Sequence, residues 1–150
     1  ILRTCSKAFG GAALRLGFAV ASLPLTNALK AVKSPYNVNS FSQAAGAALL
    51  GRKEASQTAL EKILRSREEL LAGLKELERE FPQALHVYES CTNFAFLRME
   101  KAEEAHTYLL GQSIAVRRLP GYLRMTAGTP QEIAAVLEAL ARFLRDAGKE

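Results

Sequence analysis

Ser6 and Lys7 stand side by side ahead of a glycine pair, Gly10 and Gly11, and Arg15 follows eight residues after the lysine. A hydroxyl, an ammonium and a guanidinium on one short stretch suit a small anion, and the glycines let the backbone approach it closely. A lysine set near other cations sheds its proton more readily, and its free amine is then a nucleophile for aldehydes. A second set lies towards the other end, where Arg117 and Arg124 occupy neighbouring strand-like segments joined by a short loop. If those strands pair, both guanidinium forks face one pocket and suit a carboxylate or phosphate. Arg118 is an adjacent competitor for that role. On residue types alone each set keeps a plain alternative: a glycine-rich surface loop, and two solvated strand-end arginines.

The elements that must position these groups can be read from pattern. Ile1 and Leu2 end one strand, and Leu14 to Ala21 form the next. Thr26 caps a short helix running to about Lys33, and Ser34-Pro35-Tyr36-Asn37-Val38-Asn39 is a connector. Asn39 or Ser40 starts a helical stretch that reaches about residue 80, with a break near Gly51. Its apolar positions Leu60, Ile63, Leu64, Leu70, Leu71, Leu74 and Leu77 recur at threes and fours, while Lys75 and Glu76 belong to the solvated face. Phe81-Pro82 ends it. Leu85–Tyr88 and Phe94–Met99 read as strands around a polar turn at Ser90-Cys91-Thr92-Asn93. A helix from Ala102 to about Leu110, a strand over Ile114–Arg117, a loop at residues 118–121 and a strand over Leu123–Thr126 follow. Thr129, Pro130 and Glu132 spell a capping box for a final helix, whose face is Ile133, Val136, Leu137, Leu140, Phe143 and Leu144.

Composition narrows the function classes. The chain has 150 residues, enough for a real core, with 49% hydrophobic and 23% charged residues. The net charge of +5 comes from dispersed lysines and arginines, so the sequence points away from nucleic acid. Cys5, Cys91, His86 and His106 show no metal-ligand spacing, and two distant cysteines fit a reducing cytoplasm. No apolar run reaches the ~20 residues that span a membrane.

Ser6-Lys7-Ala8-Phe9-Gly10, followed by Leu14-Arg15-Leu16-Gly17-Phe18, resembles the lysine segment of fold-type I aminotransferases that depend on pyridoxal 5'-phosphate. Histidinol-phosphate aminotransferase is the branch it is most similar to. The resemblance implies that Lys7 bonds covalently to the cofactor, while Ser6 and Arg15 hold the cofactor phosphate. Pro35-Tyr36-Asn37-Val38-Asn39 resembles the crossing from the large to the small domain. Thr92-Asn93-Phe94 resembles the opening of a small-domain strand. Leu123-Arg124-Met125-Thr126-Ala127-Gly128-Thr129 is similar to the family motif whose arginine grips the substrate α-carboxylate, which implies that role for Arg124. Val116-Arg117 resembles the pair whose arginine contacts the phosphate of histidinol phosphate.

The expected fold class is α/β. The resemblance implies that residues 1–33 are the end of the large cofactor domain. Residues 34–150 would be a small C-terminal domain with a mostly antiparallel sheet and packed helices. The implied reaction is amino transfer between an amino acid or amine and a 2-oxo acid, in a cytoplasmic homodimer without nucleic-acid or membrane partners. Family chains are more than twice this length, and their partner for the pyridine nitrogen lies upstream of this stretch. The piece is therefore expected to be inactive alone, with unpaired strand edges that invite association. The alternatives within the class are a threonine-phosphate decarboxylase or an aromatic aminotransferase. Outside it, the alternative is a non-catalytic helical interaction module.

Overall fold

Leu2–Thr4 (β1) and Gly17–Ala19 (β2) pair as an antiparallel ribbon in a computed structural model that describes residues 1–148, with Arg3 opposite Phe18. The second strand is shorter than the apolar run suggests. Ala12–Leu14 turn as a 3-10 helix and Arg15 takes a left-handed φ of 55°, so pairing resumes only afterwards. The helix α1 (Leu23–Val32) starts at Ser22, not Thr26. Pro24 lies in its first turn, where a missing N–H breaks no helical bond, and Thr26 already donates its N–H to the Ser22 carbonyl at 2.9 Å. Asn39 caps α2 (Ser40–Gly51), its side chain accepting the Ser42 N–H at 2.8 Å. Arg52 interrupts the helical path before α3 (Lys53–Glu80).

The chain forms two compact units, one running Ile1–Leu60 and the other from Glu61 onward. The first is thinly packed: β1, β2 and α1 bury no residue, and Leu2, Val32 and Phe41 are among its exposed apolar side chains. The second holds the core. Its sheet comprises β3 (Leu85–Val87), β4 (Phe94–Met99), β5 (Arg117–Leu119) and β6 (Tyr122–Thr126), in the order β3-β4-β6-β5, every pair antiparallel. Strand alternation sends Leu85, Val87, Ala95, Leu97, Met99, Leu123 and Met125 to one face. There they meet Leu70, Leu74 and Leu77 of α3, Leu109 of α4 (Ala102–Gly111), and Ile133, Leu140 and Leu144 of α5 (Pro130–Ala147). Helices α3 and α5 come close at Gly73, where a Cβ would lie 2.3 Å from Leu137 Cδ1.

The strand expected at Ile114–Arg117 is displaced to Arg117–Leu119. Pro120-Gly121, with Gly121 at φ 74°, supplies a two-residue turn that sets Leu119 opposite Tyr122. Ile114 instead donates its N–H to the Leu109 carbonyl at 2.9 Å, at the end of α4. No helix among the described residues is long and apolar enough to cross a membrane.

Candidate functional site

The loop from Cys5 to Leu16 joins the ribbon strands and carries Ser6, Lys7 and Arg15. The ribbon's hydrogen bonding extends one rung into it, from the Cys5 N–H to the Leu16 carbonyl at 3.0 Å. Gly11 donates its N–H to the Cys5 carbonyl at 2.8 Å, and Gly10 donates to the Lys7 carbonyl at 2.9 Å. These bonds throw Ser6–Gly10 out as a small protruding turn. Gly10 closes it at φ 66°, a conformation that favours glycine.

The inner side of the loop is anchored. Cys5 is 1% exposed. Leu16 Cδ1 fills the place a Gly46 Cβ would take, 2.3 Å away, and Leu49 Cδ2 lies 3.2 Å from where a Gly11 Cβ would stand. Helix α2 therefore backs the loop through two glycines. Thr4 Oγ1 accepts the Ser6 N–H at 3.1 Å and donates to Ser6 Oγ at 2.9 Å, which leaves the serine's own proton to point elsewhere. Lys7 is exposed, and its ammonium has no hydrogen-bond or ion-pair partner among the described residues. Arg15 is exposed too, one guanidinium nitrogen tied to the Ala12 carbonyl at 3.0 Å. A hydroxyl donor, an ammonium and a guanidinium on one anchored loop are the donor set that a phosphorylated aldehyde requires, and they fit pyridoxal phosphate.

The second unit presents the arginines. Arg117 and Arg124 are directly opposed on β5 and β6, so their side chains leave the same face of the sheet. That face is the one the helices do not cover, and it also bears His86, Phe94, Phe96, Arg98 and Tyr122. Arg118, one residue along, opposes buried Leu123 and is ion-paired with Glu103 of α4, which removes it as a competitor. No carboxylate pairs with Arg117 or Arg124 among the described residues. The Arg124 guanidinium lies over the Phe94 ring, 4.9 Å from its centroid, and its Nε is buried without a hydrogen-bond acceptor.

The face is held at its ends. Ser90 Oγ donates to the Phe94 carbonyl at 2.6 Å, and the Ala127 N–H donates to the Asn93 carbonyl at 2.9 Å. Thr129 Oγ1 accepts the Glu132 N–H at 3.3 Å while Glu132 accepts the Thr129 N–H at 2.7 Å, completing the capping box that follows β6. The Thr129 N–H chiefly, and then the Thr129 hydroxyl, hold the Glu132 carboxyl below its usual value. The sequence foretold the box and the pairing of the strands that carry the two arginines. It missed the ring beneath Arg124, whose only trace was the Asn93-Phe94 pair at the start of a strand.

Fold, lysine loop and arginine face together define the chain's class: it belongs to the aminotransferase class I and II family, which residues 1–140 match. Histidinol-phosphate aminotransferase of Clostridium kluyveri is 37% identical, over 97% of this chain and 41% of that protein. Histidinol-phosphate aminotransferase 1 of Carboxydothermus hydrogenoformans is 41% identical, over 96% and 41%. The chain thus spans about two fifths of the length of these relatives. Among solved structures, the histidinol-phosphate aminotransferase of Clostridium acetobutylicum superposes with a TM-score of 0.83 at 22% identity, covering 97% of this chain and 46% of that one. The L-threonine-O-3-phosphate decarboxylase of Porphyromonas gingivalis superposes with a TM-score of 0.70 at 26% identity, covering 93% and 45%. The mixed α/β architecture is that of fold-type I aminotransferases.

Proposed function

We propose that this chain is the lysine-bearing part of a pyridoxal-phosphate-dependent aminotransferase of histidine biosynthesis, acting on histidinol phosphate. The observation that carries the reading is the anchored loop that bears Ser6, Lys7 and Arg15, leaves Lys7 and Arg15 exposed, and packs against α2 at Gly46 and Leu49. Its relatives at 37% and 41% identity support the branch. Residues 1–33 are assigned to the end of the cofactor domain and residues 34–150 to the small domain. The whole enzyme is read as a cytoplasmic homodimer using amino-acid and 2-oxo-acid substrates, and the 150-residue chain alone turns over little or nothing.

Pyridoxal phosphate, when bound, supplies an aldehyde carbon and a ring that withdraws electrons from the substrate's α-carbon. The Ser6 hydroxyl and the Arg15 guanidinium hold the phosphate, one as a neutral donor and one as a charged fork. Lys7 Nζ would hold the cofactor through its unprotonated amine. The same Nζ, when free, would accept the proton of the substrate α-carbon and return it. Arg124 would receive the carboxylate of the amino-acid or 2-oxo-acid substrate, and Arg117 the phosphate of histidinol phosphate.

The second reading, a threonine-phosphate decarboxylase, is favoured by the superposition on that enzyme. Product analysis of the longer protein separates the two, since one releases carbon dioxide and the other a 2-oxo acid. The direct test on this chain is to mix it with pyridoxal phosphate, reduce with borohydride and map the modified residue by mass spectrometry. Selective labelling of Lys7, absent in Lys7→Ala, is expected. Labelling scattered over many lysines overturns the assignment of Lys7.

A further inference from the structure

We propose that Phe94 is the positioning residue for Arg124: its ring holds the guanidinium towards β4 and away from Arg117. The inference rests on reading Arg124 as the carboxylate-binding group. Arg124 has two sets of neighbours on its face. Across one side of β6 it directly opposes Arg117, a like charge that repels it; across the other it opposes Phe96, with Phe94 one step along on the diagonal. The guanidinium goes to the ring side, at 4.9 Å from the Phe94 centroid, where the negative face of the ring attracts a cation.

The backbone at Phe94 is tied down. The Ser90 hydroxyl donates to its carbonyl at 2.6 Å, Thr92 Oγ1 donates to the same oxygen at 3.3 Å, and Ala127 ties down Asn93 beside it. The polar turn at Ser90–Asn93 thus fixes the backbone from which the ring projects, and the ring lies beneath the arginine. The cost falls on Arg124 Nε, which is buried with no acceptor. A salt bridge would neutralise the guanidinium, whereas a ring orients it and leaves its charge for a ligand.

The test follows the Arg124 side chain by NMR in the 150-residue chain, in wild type, Phe94→Tyr and Phe94→Leu, with acetate and inorganic phosphate as probes. Wild type and Phe94→Tyr are expected to show ring-current-shifted Arg124 δ-protons and a slowly exchanging Nε–H, both lost in Phe94→Leu. The leucine variant is expected to bind acetate about two- to fivefold more weakly, with tyrosine restoring it. Unshifted Arg124 signals in wild type overturn the proposal without any variant. Equal acetate affinity in wild type and Phe94→Leu, with Arg124→Gln weaker than both, also overturns it. If the shifts depend on Phe94 as expected but Arg124→Gln binds acetate like wild type, positioning by Phe94 stands and the carboxylate reading of Arg124 falls.

Discussion

Gly11 donates its N–H to the Cys5 carbonyl at 2.8 Å, and a Cβ placed on Gly11 would lie 2.9 Å from that same oxygen. The bond that closes the turn around Ser6 and Lys7 is therefore possible only while residue 11 lacks a side chain. Gly11→Ala must move backbone, because the obstructing atom is a carbonyl and not the end of a side chain. A cost of about 1–3 kcal/mol is expected, the range of overpacked sites. Gly10→Ala meets open space and is burdened only by its φ of 66°. Borohydride trapping should distinguish them: Gly11→Ala loses most Lys7 labelling, whereas Gly10→Ala keeps it in the fraction that folds.

The capping box after β6 gives a second prediction. Thr129 and Glu132 exchange bonds across the first turn of α5, and Gly128 makes room, since a Cβ there would lie 2.4 Å from Glu132 Oε2. Thr129→Ala is expected to destabilise the second unit by about 1 kcal/mol, the usual worth of an N-cap hydroxyl. Gly128→Val should do more, because it evicts the carboxylate and leaves the Thr129 N–H unpaired. Urea unfolding followed by far-ultraviolet circular dichroism checks both.

Glu78 predicts an acid limb in stability. Its carboxylate accepts from Lys75 Nζ at 2.7 Å, from the Val87 N–H at 3.2 Å and from His86 Nδ1 at 2.6 Å. The Lys75 bond chiefly, then Val87 and His86, hold the carboxyl below its usual value against the opposing pull of burial. A depressed carboxyl binds its proton more readily in the unfolded chain. Its stabilisation is therefore complete above the ordinary glutamate value and disappears as pH falls through the lowered folded value. Glu78→Gln should be less stable at neutral pH and show a shallower loss between about pH 5 and pH 3. Parallel acid-limb curves for the two proteins would sink the idea.

The lysine loop, the capping box and the apolar face of α3 were legible because each is written in local residue types: Ser-Lys before glycines, Thr-Pro-x-Glu, leucines at threes and fours. Three features were not. Lys75 reads as part of a solvated helix face, yet it donates to the Val87 carbonyl at 2.7 Å, a partner twelve residues away that only the packed sheet supplies. Residues 114–116 have strand character, but the Pro120-Gly121 turn fixes the register and moves pairing to Arg117–Leu119. The run from Leu14 continues the apolar pattern of a strand, while Arg15 at φ 55° delays it. In each case a longer-range partner or a turn overrode the local pattern.

The two sheets differ at their edges, and this predicts where the chain self-associates. On β3 the hydrogen bond from the Tyr88 N–H to Phe96 directs Tyr88 inward, so Val87 turns its N–H and carbonyl to the open side. Glu78 takes that N–H and Lys75 fills that carbonyl, leaving no free rung at Val87 for another strand. The ribbon of β1 and β2 is guarded only in part: the Arg3 guanidinium donates to the Leu2 carbonyl at 2.9 Å, but among the described residues no side chain takes the Leu2 N–H. Ile1 and Cys5 bond across to Val20 and Leu16, which turns the backbone of Leu2 and Thr4 outward, beside exposed Leu2, Phe18 and Val20. An apolar edge with an open outward N–H is a template for pairing. Light scattering over a range of concentrations should show dimers or larger species of the wild-type chain. Leu2→Pro, which removes an outward N–H, should shift them towards monomer, and Lys75→Met with Glu78→Gln should add association by opening the β3 edge. A wild-type chain that stays monomeric at all concentrations would show that the ribbon edge is not used.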